Sequence, residues 1–286
     1  MPHKGKNMRT VTMIGLLFIL GLNESISQDQ SSQSITAFER HKMGVESAEI
    51  TADFFESRMF VNNKSDTLLY RLLKPFNYDP SKKYPLVLCL SGVGGRGNDN
   101  VTQIAGCWPA QILSNNENKK RYPSFLFVPQ CPNESHWGAK NLDKFPSNID
   151  VESLIFEVIS ELESEFKIDT TRRYITGQSM GGFGTWHYII SKPQMFAAAI
   201  PVCGGGNPEL AHNIIDMPVW AFHGQNDKVV PVENSREMID AIIKAGGNPR
   251  YNEFIDADHV SWPLAFDTPG LLDWFFNQKK DESKRN

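Results

Sequence analysis

Several signatures are missing from this 286-residue chain. Its four cysteines, Cys89, Cys107, Cys131 and Cys203, contain no CxxC pair, which excludes a zinc ribbon and a thioredoxin-type redox motif. No histidines have the HExxH spacing of a metal-dependent hydrolase, so no metal site is expected. No block of Lys and Arg lies beyond the N-terminus, and a net charge of −4 gives nucleic acid or an anionic membrane no electrostatic hold. No glycine-rich loop runs into GK[ST], so a nucleotide-phosphate cradle is not expected either. What remains is ordinary for a folded domain: 40% hydrophobic, 11% aromatic and 22% charged residues.

The N-terminus reads as a targeting segment. Lys4, Lys6 and Arg9 precede the mostly apolar run Val11–Leu22, and the small residues Ser25 and Ser27 follow. This is the pattern of a secretory signal peptide over residues 1–27. As a helix the run would cover about 18 Å against roughly 30 Å of hydrocarbon, so no stable membrane span is expected. Cleavage would remove Lys4, Lys6, Arg9 and Glu24 and take the net charge from −4 to −6. The expected location is secreted or periplasmic. Export permits disulfides. Cys89 sits in an apolar run and reads as a buried free thiol, whereas a Cys107–Cys131 bond is compatible with the sequence and stays open.

Residues 28–54 form a polar leader, and 279–286 a polar tail. Between them, short apolar runs alternate with helical periods. Arg58–Asn62 and Thr67–Pro75 read as a hairpin. Pro85–Leu90, Ser124–Val128, Arg173–Thr176, Ala197–Val202, Pro218–His223 and Arg250–Ile255 read as further strands, mostly buried on both faces. Ile149–Phe166, Glu233–Ala245 and Gly270–Gln278 carry helical spacing. Alternation of this kind implies an α/β domain over 55–278, with about eight mostly parallel strands flanked by helices. No repeat or linker divides it.

The strongest local signal is Gly177-Gln178-Ser179-Met180-Gly181, between the strand at 173–176 and a helical stretch at 183–190. A G-x-S-x-G string becomes informative in this strand–turn–helix context, because the sharp turn presents a serine hydroxyl at the sheet edge as a nucleophile. Serine needs a base and an orienting acid, which follow it in the order acid, then histidine. Asp227 lies in the loop after Pro218–His223, and His259 in the loop after Arg250–Ile255. His223 is the rival base, but its place at a strand end suits packing and hydrogen bonding better. Asp256 and Asp258 are rival acids, though their nearness to His259 suits local capping. The N–H of Met180 supplies one oxyanion donor. The glycine-rich loop Ser91–Gly97 supplies the other, from Val93 or alternatively Gly94.

With these residues in place the chain resembles the α/β-hydrolase-fold serine esterases of the phospholipase/carboxylesterase and feruloyl-/acetylxylan-esterase-like group, many of whose secreted bacterial relatives are labelled peptidases. The resemblance covers roughly 55–278 and rests on LSGVGGRGNDN at 90–100, FVPQCP at 127–132, YITGQSMGGFGTW at 174–186, AAAIPVCGGGNP at 197–208, VWAFHGQNDKVVP at 219–231 and DADHVSW at 256–262. It implies an α/β-hydrolase fold without a large cap domain and a triad of Ser179, Asp227 and His259. It also implies hydrolysis of carboxylic esters without a cofactor, on small esters or acetyl or feruloyl esters of polysaccharide. By the same analogy Trp137, Trp262 and Gln178 would face the substrate, although packing in the core explains either tryptophan equally well. One departure stands out: the family's His-Gly in the oxyanion loop is Ser91-Gly92 here. The alternatives are a serine peptidase with the same triad and a binding protein that has lost one of its members. No triad member is missing.

Overall fold

A computed structural model describes residues 52–138 and 149–280. The expected signal peptide lies outside the described residues, as do all but the end of the leader and most of the tail. Within them the chain forms one eight-stranded sheet in the order β1-β2-β4-β3-β5-β6-β7-β8. The strands are β1 (Glu56–Val61), β2 (Thr67–Leu73), β3 (Tyr84–Leu90), β4 (Phe125–Pro129), β5 (Ile168–Gln178), β6 (Ala198–Val202), β7 (Trp220–Gly224) and β8 (Arg250–Phe254). β1 pairs antiparallel with β2 and β2 with β4, while every other neighbour pair is parallel.

The sequence of each strand explains its place. β3, β4 and β6 are buried at every position, as strands covered on both faces must be. β1 alternates half-buried with exposed residues and lies at the edge, turning into β2 through Asn62, whose Oδ1 accepts from the N–H groups of Lys64 and Asp66. Two cores result. Leu86, Leu88 and Leu90 of β3 face one side, with α4 (Val151–Glu165), α5 (Met180–Ser191) and α6 (Glu233–Lys244) over the sheet there. Val87 and Cys89 face the other, with α2 (Trp108–Ser114), α7 (Trp262–Phe266) and α8 (Leu271–Asn277). Single turns at α1 (Thr102–Ala105) and α3 (Asn118–Arg121) complete the described α-helices, beside 3₁₀ helices at Val93–Gly95 and Pro208–Ile214.

The domain thus has the expected α/β-hydrolase architecture, with three differences of detail. α1, α2, α3 and α7 were not anticipated, since four to seven residues are too few to carry a helical period. The folded region begins before residue 55, because Ala52 is buried in the second core. All four cysteines are buried and unpaired. Cys107 and Cys131 belong to the two opposite cores, so the sheet stands between them.

Candidate active site

The parallel strands end at one edge of the sheet, and there the backbone is crowded. Ser179 sits between β5 and α5 at φ 56° and ψ −119°, a region that a residue with a side chain occupies only when its surroundings impose it. They do so through close backbone approach. A Cβ on Gly181 would overlap the Leu90 carbonyl, and one on Gly182 the Val202 carbonyl. The Ser179 N–H donates to the Val202 carbonyl at 3.0 Å, anchoring the turn to β6. The hydroxyl is thereby held out at the edge, with the N-terminus of α5 beside it.

Ser179 Oγ lies 2.9 Å from His259 Nε2, and His259 Nδ1 lies 2.7 Å from Asp227 Oδ2. A carboxylate can only accept, so Nδ1 carries the ring hydrogen and Nε2 presents its lone pair to the serine. Asp227 follows β7, and its side chain is wholly buried. Its other oxygen, Oδ1, accepts from the N–H groups of Val229 and Val230, both at 2.8 Å. A buried charge is tolerated when its lone pairs are met in this way. His259 reaches the serine because its loop closes on β7: the Asn226 N–H donates to the Ala257 carbonyl, and a side chain at Gly224 would overlap the Asp258 carbonyl. Asp258 accepts from the N–H of Val260, a local cap, and is not the partner of His259. Trp262 stands edge-on to the His259 ring at 5.6 Å.

The loop after β3 approaches the same serine. The Gly92 N–H is taken by the Gly106 carbonyl at 3.0 Å, and Val93, whose side chain is exposed, opens the 3₁₀ turn Val93–Gly95 that follows. Met180, buried at the first position of α5, accepts at Sδ from Arg96 Nη2 at 3.2 Å. Trp137 is fully buried, and its Nε1–H donates to the Ser91 carbonyl at 2.9 Å. Sequence reasoning put Trp137 towards the substrate. The structure puts it under the Ser91–Gly97 loop, a tie that no local pattern reveals. Gln178 likewise points inward: it is 4% exposed and donates to the Gly106 carbonyl at 2.8 Å. Together these two hydrogen bonds and the Gly92–Gly106 contact hold the Ser91–Gly97 loop.

Cys203, at φ 41°, lies behind the serine and acid, and its Sγ falls within 4.8 Å of ligand atoms of Asp227 and His259. Burial pushes its thiol well up, so it stays protonated. The 2.7 Å hydrogen bond between Asp227 and His259 occupies the space an ion would need, so this trio does not read as a metal centre. His187 and His212 lie elsewhere, on Glu152 and on the Glu209 carbonyl.

Comparison with known proteins adds to this geometry. Residues 67–240 match the model of the family described as "Putative esterase". A probable feruloyl esterase C from Aspergillus terreus is 27% identical over 192 residues, 62% of this chain and 62% of that protein. A crystal structure of a thermostable esterase is 36% identical with a TM-score of 0.75, covering 80% of this chain and 64% of that one. The feruloyl esterase module from Clostridium thermocellum, solved with sinapinate as an S954A mutant, is 19% identical with a TM-score of 0.58, covering 78% and 88%, and shares the fold. The chain therefore spans about 62–64% of the first two proteins.

Proposed function

This chain belongs to the esterase family, and we propose that it hydrolyses carboxylic esters through Ser179, His259 and Asp227. The observation that carries this reading is the unbroken hydrogen-bonded series from Asp227 through His259 to Ser179 Oγ. In the first step Ser179 Oγ attacks the ester carbon while His259 Nε2 takes its proton. The carbonyl oxygen gains the negative charge, and the N–H groups of Met180 and Val93 receive it. Asp227 keeps His259 in the required tautomer and stabilises the imidazolium. That imidazolium then returns its proton to the departing alcohol, leaving an acyl-serine. Water, deprotonated by His259, releases the acid and restores the hydroxyl.

The proposed substrates are short-acyl or hydroxycinnamoyl esters, including those carried on polysaccharide. The feruloyl esterase relatives support this reading, as does the short connection Cys203–Met217 between β6 and β7, too short for the long apolar lid of a lipase. The N-terminal pattern over residues 1–27 supports export and an extracellular polymer as substrate. A panel of p-nitrophenyl acetate to palmitate, methyl ferulate, acetylated xylan and peptide anilides tests the assignment. Turnover of acetate or ferulate esters with inert anilides is the expected result. Preference for palmitate or for anilides would contradict it.

A further inference from the structure

A second imidazole stands behind the acid and takes no part in the steps above. His223, in β7 four residues before Asp227, is completely buried. Its partners assign its hydrogens. Nε2 lies 3.0 Å from the Val230 carbonyl oxygen, which only accepts, so Nε2 bears a hydrogen. The same nitrogen lies 3.3 Å from Asp227 Oδ2, the very oxygen that accepts from His259. Nδ1 lies 2.7 Å from Ser235 Oγ, at the start of α6. Burial pushes the His223 pKa down, and Nε2 keeps its hydrogen because both oxygens it faces can only accept.

Packing alone would need none of this. The side chains of His223 and Asp227 are both sealed from solvent, and Val230 links them twice: its N–H donates to Asp227 Oδ1 and its carbonyl accepts from His223. Ring, peptide and carboxylate close a cycle in which each fixes the orientation of the next. Rotation of the carboxylate about its Cβ–Cγ bond would break the contacts on both of its oxygens at once. Ser235 Oγ, also 2.9 Å from the Gly204 carbonyl, joins the far side of the ring to the segment after β6.

We propose that His223 is a positioning residue for the ester-cleaving site: its Nε2–H, shared between Val230 and Asp227, locks the carboxylate plane so that Oδ2 stays on His259 throughout turnover. The inference rests on the reading of Asp227 as the triad acid. It predicts that a donor at the Nε2 position matters more than the ring itself.

Two amide variants of the full chain separate donor from shape. The amide nitrogen of glutamine reaches the place of Nε2, whereas that of asparagine reaches only the place of Nδ1. The readout is phosphonylation by a fluorophosphonate probe: Ser179 Oγ bonds to phosphorus, the P–F bond breaks, fluoride leaves and His259 takes the serine proton. A concentration series separates the inactivation rate constant from probe binding. His223→Asn is expected to lower that rate constant about 10- to 100-fold, the loss of one hydrogen bond to a charged group, with binding unchanged. His223→Gln is expected to stay within about threefold of the native rate. Equal losses in the two variants, or a native rate in His223→Asn, would overturn the proposal. If His223→Asn does not fold by circular dichroism, His223→Gln decides alone, and a loss above tenfold overturns it. Native protein labelled no faster than Ser179→Ala would instead overturn the triad reading beneath it.

Discussion

The two edges of the sheet carry similar polar residues in opposite circumstances. Where β3 begins, Arg121 and Tyr122 meet Asp273 at 2.7–2.9 Å beside a cleft of about 480 Å³ that Lys83 and Arg172 also line. Arg121 and Asp273 there are 57% and 49% exposed, so water competes for both charges. At the other edge, where β5 and β7 end, Asp227 and His223 are sealed from solvent and Ser179 is 9% exposed. Similar hydrogen-bond lengths therefore do different work. An exposed pair is screened and contributes about 0–1 kcal/mol, whereas a desolvated acid with fixed donors acts strongly on whatever it faces.

That contrast orders the expected effects of mutation. The largest is Ser179→Ala, which should lower kcat/KM for p-nitrophenyl acetate by about 10⁴- to 10⁶-fold with an unchanged circular dichroism spectrum. Asp227→Asn comes next, at roughly 10³- to 10⁴-fold in kcat, because the amide cannot both hold the tautomer and stabilise the imidazolium. Asp256→Asn and Asp258→Asn should each lose less than about tenfold, and a crippling effect of Asp258→Asn would reverse the assignment of the acid. Trp137→Phe keeps the ring volume approximately but removes the donor to the Ser91 carbonyl. A fall of about tenfold in kcat, with KM nearly unchanged, is expected as the loop proposed to supply an oxyanion donor loosens.

The smallest effect is expected at the opposite edge. Arg121→Ala should leave ester hydrolysis unchanged and shift Tm at pH 7 by no more than about 4 °C, the effect of a screened pair. Its signature is pH dependence. The Tyr122 hydroxyl and Arg121 hold the Asp273 carboxyl below its usual range. A depressed folded-state pKa contributes stability above the unfolded value, near 3.9, and loses it as pH falls through the folded value. Tm of the native protein should thus fall on acidification below about pH 4, and less steeply in Arg121→Ala, as differential scanning fluorimetry would read out. Identical slopes would remove this pair from the account.

How much of this was legible in the sequence depended on distance along the chain. The strand–turn–helix around Ser179 is local, with glycines dictated by crowding within a few residues, and it could be read directly. Asp227 and His259 were readable by chain order, because each follows a strand of the same parallel series. The roles of Trp137 and Gln178 were not. Both point inward to the backbone of a loop tens of residues away in sequence, and nothing in their neighbourhoods encodes that contact. His223 could be read as a hydrogen-bonding residue at a strand end. Its approach to Asp227 is set by the fold of the intervening Gly224–Asn226 turn, which periodicity does not describe. The same limit hid the separation of Cys107 from Cys131, which lie near in sequence but pack into different cores.

The account turns on Ser179 as the atom that takes the acyl group. The most direct measurement mixes the protein with p-nitrophenyl acetate, quenches it in acid during the first turnovers and weighs the proteolytic peptides. An acetyl group on the peptide containing Ser179, absent in Ser179→Ala, is the predicted result. Sustained ester hydrolysis with Ser179 unmodified, or with the acetyl group on another residue, would contradict it.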